Sequence, residues 1–266
     1  EFRMKAWKRI HITKKRAACG VLGLLLLAAA YMGVPRAAEK VFAVAEGERR
    51  LPIYCVQTEK PQVSVSFDAA WGADDTDELL RILKENDVKA TFFLCGYWVE
   101  KYPEEVKKIA AEGHDLGNHS ATHPHMSRIS SEEIAQELQK CHENVKKLTG
   151  VEMELFRPPF GEYDNHVIET AEQNGYYTIQ WDVDSLDWKE QGAEVEIRQV
   201  LEHKHLGNGS IILFHNDAKY TPKVLDTILK GIKEKGFEIV PISQLIHREN
   251  FEMDHEGRQI PKGKDV

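Results

Sequence analysis

The stretch HSATH, residues 119–123, sets two imidazoles four residues apart, and four of the chain's twelve histidines fall within residues 114–125. On a helical turn that spacing points both rings the same way, and neutral imidazole is a good ligand for zinc and similar cations. His119 and His123 are therefore candidate metal ligands, with two solvated loop histidines as the plain alternative. SFDAAWG, residues 66–72, ends an apolar run on Asp68, a carboxylate suited to taking a proton. FRPPFG, residues 156–161, places Arg157 before a rigid Pro-Pro pair. That permanent cation can hold a carboxylate in one orientation, and the amides of Phe160 and Gly161 are available to a pocket. DSLDW, residues 184–188, offers carboxylates and the flat indole of Trp188, a wall suited to a sugar ring. ILFHN ends an apolar strand on His215. A lone histidine there is commonly structural, but a carboxylate partner such as Asp187 would raise its pKa and keep a proton ready.

All of these residues follow strand-like runs. The runs are 63–67, 90–95, 114–118, 153–157, 176–182, 209–214 and 237–241, with helix-like segments between them. Strand then helix, repeated six or seven times, predicts an α/β fold with a largely parallel sheet. In a parallel barrel the residues just past the strand ends converge on one face. Asp68, His119 and His123, Arg157, the cluster Asp182, Asp184, Asp187 and Trp188, and His215 all occupy such positions. Several helix ends are readable. Ser130 to Glu133 has capping-box spacing with Gly150 as the stop. Asp164 can cap the helix that ends near Gly175. Thr221-Pro222 resembles an N-cap followed by Pro at the first helical position, with Gly236 closing that helix.

The net charge of −8 conceals an asymmetry. Residues 1–38 carry eight Lys/Arg and one acidic residue, leaving 27 basic against 42 acidic residues elsewhere, a net of −15. So acidic a body is a poor partner for nucleic acid and suits a neutral or cationic substrate. The basic flank precedes an uncharged run from Ala17 to Val34, the pattern of an export signal. Its 18 residues are long for a signal-peptide core and just enough to span a bilayer, and Ala28-Ala29-Ala30 offers small residues for cleavage. Both a cleaved signal and a membrane anchor are compatible with it, and either sends the protein to the cell envelope. The expected organisation is 1–38 as signal or anchor, 39–60 as a stalk or peripheral segment, 61–247 as one domain, and 248–266 as a polar tail. Cys19 lies in the apolar run. Cys55, Cys95 and Cys141 show neither metal-type spacing nor a disulfide framework.

Taken in order, SFDAAWG, HSATH, RPPFG, DSLDW and LFHN resemble the five motifs of the polysaccharide deacetylase (NodB-homology carbohydrate esterase) family, over about residues 61–247. The stretch PIYCVQTEKPQVSVSFDAAWG is similar to the sporulation-associated branch. The resemblance implies a distorted (β/α) barrel and metal-assisted removal of N-acetyl groups from a cell-wall glycan such as peptidoglycan or a chitin-like polymer. By that resemblance Asp68 is the base, oriented by Arg157, and His119 and His123 hold a divalent metal such as Zn, Co or Ni. The amide of Phe160 supports the oxyanion, Trp188 binds substrate, His215 protonates the leaving amine and Asp187 tunes it. The family usually has a second aspartate after the base, as a metal ligand, where this chain has Ala69. Water or Asp74 or Asp75 then fills in, or the metal binds weakly, or turnover is lost and a glycan-binding or scaffold protein remains. A two-carboxylate glycosidase using Asp68 and Asp187 is a further alternative, and HSATH counts against it.

Overall fold

The structure, a computed structural model, describes residues 49–262. The basic flank and apolar run of residues 1–38 lie outside the described residues, as do 39–48 and the last four residues. No helix among the described residues is long and apolar enough to cross a bilayer.

In chain order the strands are β1 (Cys55–Val56), β2 (Gln62–Ala69), β3 (Thr91–Leu94), β4 (Asp115–Asn118), β5 (Leu155–Phe156), β6 (Tyr177–Thr178), β7 (Val183–Asp184), β8 (Ile211–His215), β9 (Glu238–Ile239), β10 (Phe251–Met253) and β11 (Arg258–Pro261). The main sheet runs β6-β5-β4-β3-β2-β8-β7, with β9 pairing the start of β2. Every pairing in it is parallel. The sheet curls into a half-barrel, in keeping with the expected distorted (β/α) barrel. Of the run at 176–182 only Tyr177–Thr178 forms a strand, β6, and β7 starts just beyond it at Val183, at the opposite end of the strand order.

The alternation in VSVSF would suit a strand with one wet face, yet β2 is buried on both. Phe67 stacks between Phe92 and Phe214, with ring centroids 5.0 and 5.7 Å away. Ser64 and Ser66 face the interior too, and their hydroxyls donate to the carbonyls of Val240 and Ile212 at 2.7 and 2.8 Å. A buried hydroxyl is tolerated because it is bonded.

The helix Ser131–Thr149 carries the expected reciprocal capping box between Ser130 and Glu133, and Gly150 ends it in a left-handed conformation at φ 78°. Asp164 caps the helix Asn165–Gln173 by accepting from the Val167 amide. The expectation for Thr221 is corrected. Tyr220 is the N-cap, Thr221 is the first residue of the helix Thr221–Glu234, and the Thr221 hydroxyl bonds two buried carboxylates rather than the helix amides.

The polar composition of residues 248–266 does not keep them off the fold. β10 and β11 join β1 in a second sheet of three strands, where Cys55 and Val56 pair in parallel with Arg258 and Gln259. Gln259 is fully buried and exchanges hydrogen bonds with the backbone of His247. Short strands with exposed alternate positions need few apolar residues, so composition alone reads them as tail.

Candidate active site

Adjacent parallel strands set the centre of the site. Asp68 is the penultimate residue of β2, His215 closes β8, and the two are Cα partners in the β2–β8 register. Each has a buried partner behind it. Arg157, which follows β5, is wholly buried and donates from Nη1 to Asp68 Oδ1 at 2.7 Å. Its Nη2 donates to the Gln180 carbonyl, and its guanidinium lies 4.1 Å from the centroid of Phe93. Burial opposes the Asp68 carboxylate, but the charge and hydrogen bond of Arg157 outweigh it, so the pKa of Asp68 is held below its ordinary value.

Asp187 grips His215 twice. Its Oδ1 pairs with Nδ1 of the ring at 2.7 Å, and its Oδ2 accepts from the His215 amide at 2.7 Å. The ring Nδ1 therefore carries the proton. Burial works against the imidazolium, yet the hydrogen bond and charge of Asp187 prevail and raise the pKa of His215. Asp68 is thus poised as an anion and His215 as an acid. The carboxylate partner expected for His215 is present at bonding distance.

His119 and His123 come together, but not on a helical turn. They lie in a loop with left-handed backbone at Ser120 and His123, φ 64° and 59°, and the Ser120 hydroxyl accepts from the His123 amide. The rings meet edge to face at 4.9 Å. His119 Nδ1–H donates to the Arg157 carbonyl at 2.7 Å, which leaves Nε2 unprotonated and directed toward Asp68 Oδ2, 3.7 Å away. Burial lowers both pKa values, that of His123 to about 4 with the neighbouring His119 adding to the effect.

Neutral imidazoles are the right donors for a divalent metal. They are too few for the usual protein ligand set. Ala69 presents a buried methyl after the base, and no group of three or more His, Cys, Asp or Glu able to hold a metal forms among the described residues. Asp75 is not recruited: its Oδ2 accepts from the Asp217 amide beside the helix Thr76–Glu85. The side chains present therefore do not fit a metal site with three protein ligands.

Asp68, His119, His123 and His215 open onto a cleft of about 520 Å³ walled by Trp71, Tyr97, Phe160, Trp181 and Trp188. Trp71, Phe160 and Trp188 are 51%, 56% and 52% exposed, so their rings remain available to a ligand. The Phe160 ring is stacked on His125 at 4.4 Å. The Gly161 amide, expected to be available, instead closes a turn to the Pro158 carbonyl. Asp184 lines the cleft, while Asp182 turns away and accepts from the Ile211 amide and the Ser210 hydroxyl.

Trp71 was not among the residues that sequence reasoning selected. Its indole stacks on the His215 ring at 5.1 Å. The signal was available, since a large aromatic directly follows the strand end that carries the base. Its loop is tied down by Asn216, which accepts from the Ala70 amide. The Gly72 amide donates to Asp217 Oδ2, and a Cβ at Gly72 would lie 2.3 Å from that carboxylate and displace it.

A family model described as polysaccharide deacetylase matches residues 56–179. The peptidoglycan-N-acetylglucosamine deacetylase of Bacillus cereus is 34% identical over 190 residues, covering 70% of this chain and 68% of the relative. The chain belongs to the polysaccharide deacetylase family. Within this family it is also similar to the YlxY protein of Bacillus subtilis, 36% identical over 195 residues, spanning 73% of this chain and 60% of that relative. Among solved structures it resembles BA3943 of Bacillus anthracis, described as a CE4 family pseudoenzyme. The TM-score is 0.71 and the identity 32%, over 80% of this chain and 73% of the other. A mutant of BA3943 described as having restored enzymatic activity matches with a TM-score of 0.70 and 37% identity, over 73% of this chain and 70% of that one.

Proposed function

We propose that this polysaccharide deacetylase-family chain removes N-acetyl groups from a cell-envelope glycan, peptidoglycan or a chitin-like polymer, at a rate limited by its incomplete metal site. The observation that carries the reading is the pairing of a held carboxylate, Asp68–Arg157, with a held imidazole, Asp187–His215, on neighbouring strand ends above one aromatic-walled cleft. Asp68 takes a proton from water as the water oxygen bonds to the carbonyl carbon of the N-acetyl group, and Arg157 keeps the carboxylate both ionised and oriented. The Phe160 amide supports the oxyanion of the tetrahedral intermediate. His215 then gives its proton to the amine as the carbon–nitrogen bond breaks, while Asp187 stabilises the imidazolium. Trp188 and Trp71 offer flat faces to the sugar rings. His119 and His123 are the residues that would hold Zn, Co or Ni; two neutral donors without an anion hold such an ion weakly. Residues 1–38 direct export, with the protein either released or attached to the membrane through that segment.

A second reading, a glycan-binding or scaffold protein without turnover, is favoured by Ala69 and by the likeness to a protein described as a pseudoenzyme. One experiment separates the two. The full chain and Ala69→Asp are incubated with peptidoglycan and chitin oligomers plus Zn, Co or Ni, and acetate is measured alongside glycan binding. Slow acetate release, accelerated in Ala69→Asp, is the result expected. Binding without acetate in the wild type selects the second reading. New reducing ends would point to a glycosidase, and absence of both binding and acetate overturns the proposal.

A further inference from the structure

Behind His215 and Asp187 the structure holds a second buried acid with no part in the scheme above. Glu196 lies on the helix Ala193–Leu201 and is 4% exposed. Its Oε1 is 2.8 Å from the Thr221 hydroxyl, and that same hydroxyl is 3.2 Å from Asp187 Oδ2. Thr221 is wholly buried and Asp187 nearly so. A hydroxyl has one hydrogen to donate. Two carboxylates flank it, so it can serve only one of them unless the other is protonated and donates back.

Asp187 already accepts from the His215 amide, the His215 ring and the Trp188 amide. Thr221 is thus its fourth donor, available only when the hydroxyl hydrogen turns away from Glu196. This use of the hydroxyl explains why Thr221 does not cap its own helix.

We infer that Glu196 is a positioning residue for the proton-delivering pair: through the Thr221 hydroxyl it determines whether Asp187 keeps its fourth donor, and so how firmly His215 holds its proton. With Glu196 neutral, the hydrogen-bond order is Glu196 to Thr221 to Asp187, which satisfies Asp187 and weakens its pull on the imidazolium. With Glu196 ionised, the hydroxyl turns to Glu196, and Asp187 loses its fourth donor. The less-satisfied Asp187 carboxylate then pulls harder on the imidazolium and favours it. Among the described residues, the charged or titratable groups that face His215 are Asp187, from the turn after β7, Asp68 on β2, Asp184 on β7 and His119, which follows β4. The group among them that faces Glu196 is Asp187. Burial pushes the Glu196 carboxyl up to about 7, with the Thr221 hydrogen bond opposing and the Asp187 charge adding. The change of state therefore falls in the range where His215 must serve as an acid.

The role of the pair in deacetylation rests on the function proposed above, but the link itself is read without turnover. The imidazole of His215 is titrated by NMR in the full chain labelled at histidine, the signal being assigned by its loss in His215→Asn. Glu196→Gln is expected to lower the His215 midpoint by on the order of one pH unit, the size of one hydrogen bond gained by the Asp187 carboxylate. The shift persists in a Thr221→Ser background and shrinks in a Thr221→Val background, where the hydroxyl is gone. An unchanged midpoint in folded Glu196→Gln overturns the inference, and so does an equal shift in the Ser and Val backgrounds. If Glu196→Gln does not fold, identical His215 midpoints in Thr221→Ser and Thr221→Val overturn it instead. Acetate release by the same proteins is recorded separately: silence in every form, wild type included, defeats the deacetylase reading and leaves the titration result standing.

Discussion

The two sides of the cleft are built to different standards. On the proton-transfer side each reactive group has a buried partner at 2.7 Å, Arg157 for Asp68 and Asp187 for His215. On the imidazole side the Arg157 carbonyl orients the His119 ring, while the Ser120 hydroxyl holds the His123 backbone and the His123 ring packs between His119 and Phe160. There the anion expected beside them is a methyl group. The contrast separates orientation from composition. The loop backbone and the hydrogen bond on His119 still bring two neutral imidazoles together, although the charge that would make the site bind tightly is missing. A fold can keep the geometry of a site through contacts independent of its ligand, while the ligand's affinity depends on one residue.

Removing the acid should have the largest effect. His215→Ala is expected to lower acetate release by roughly 10²- to 10⁴-fold, the usual worth of a positioned acid, with an unchanged circular dichroism spectrum. Near-normal turnover by the folded variant would move the proton donor elsewhere and break the contrast between the two sides.

The support behind the base comes next. Arg157→Met strands a buried carboxylate, and a loss of about 3 to 5 kcal/mol in urea unfolding is expected. The sign with pH follows from Asp68, whose folded pKa lies below its ordinary 3.8. The contribution of the pair is present above that value and lost as pH falls through the lower folded one. The destabilisation by Arg157→Met should therefore shrink in strong acid, and a penalty independent of pH would mean that Arg157 acts through packing alone.

Ala69→Asp addresses the other side. Calorimetric titration with Zn, Co and Ni should show affinity rising on the order of tenfold or more, about 1.4 kcal/mol, because an anionic oxygen joins two neutral donors. Equal affinity in both proteins would mean that another group already completes the site. Metal binding that survives loss of both His119 and His123 would remove the imidazole side from the comparison.

The smallest effect expected is that of Trp71→Ala. Loss of an exposed stacking face is worth about 1 kcal/mol, read as a several-fold weakening of glycan binding by isothermal titration. Since Trp71 also covers His215, a change in kcat without a change in binding would reassign it from sugar wall to support for the acid.

Much of this could be read from the chain alone. Five of the strand-like runs end at reactive side chains and indicate a parallel sheet with its chemistry at one edge, because strand C-termini in such sheets converge. Residue type and position single out Asp68, Arg157, His119, His123, Asp187 and His215, and the resemblance to the deacetylase motifs marks Ala69 as the place of a missing anion. Local rules also located the capping box of Ser130 and Glu133, whose hydrogen bonds close within one turn.

What the sequence left open depends on contacts between distant segments. The β2–β8 register that sets Asp68 beside His215 joins residues 147 positions apart, and no local pattern specifies a register. Thr221 had the chemistry of a helix cap, and only the approach of Asp187 and Glu196 from two other segments gave its hydroxyl a different use. The four-residue spacing of His119 and His123 was correct for convergence but wrong in cause, because the Ser120 turn rather than a helix brings the rings together. Residues 251–261 read as a polar tail because short strands at the surface need partners more than apolar side chains, and their partners lie near residue 55. Residue type settled which chemistry was available to this protein. Tertiary structure decided which groups share a hydrogen, a charge or a cleft, because those energies depend on distances that the order of residues along the chain does not contain.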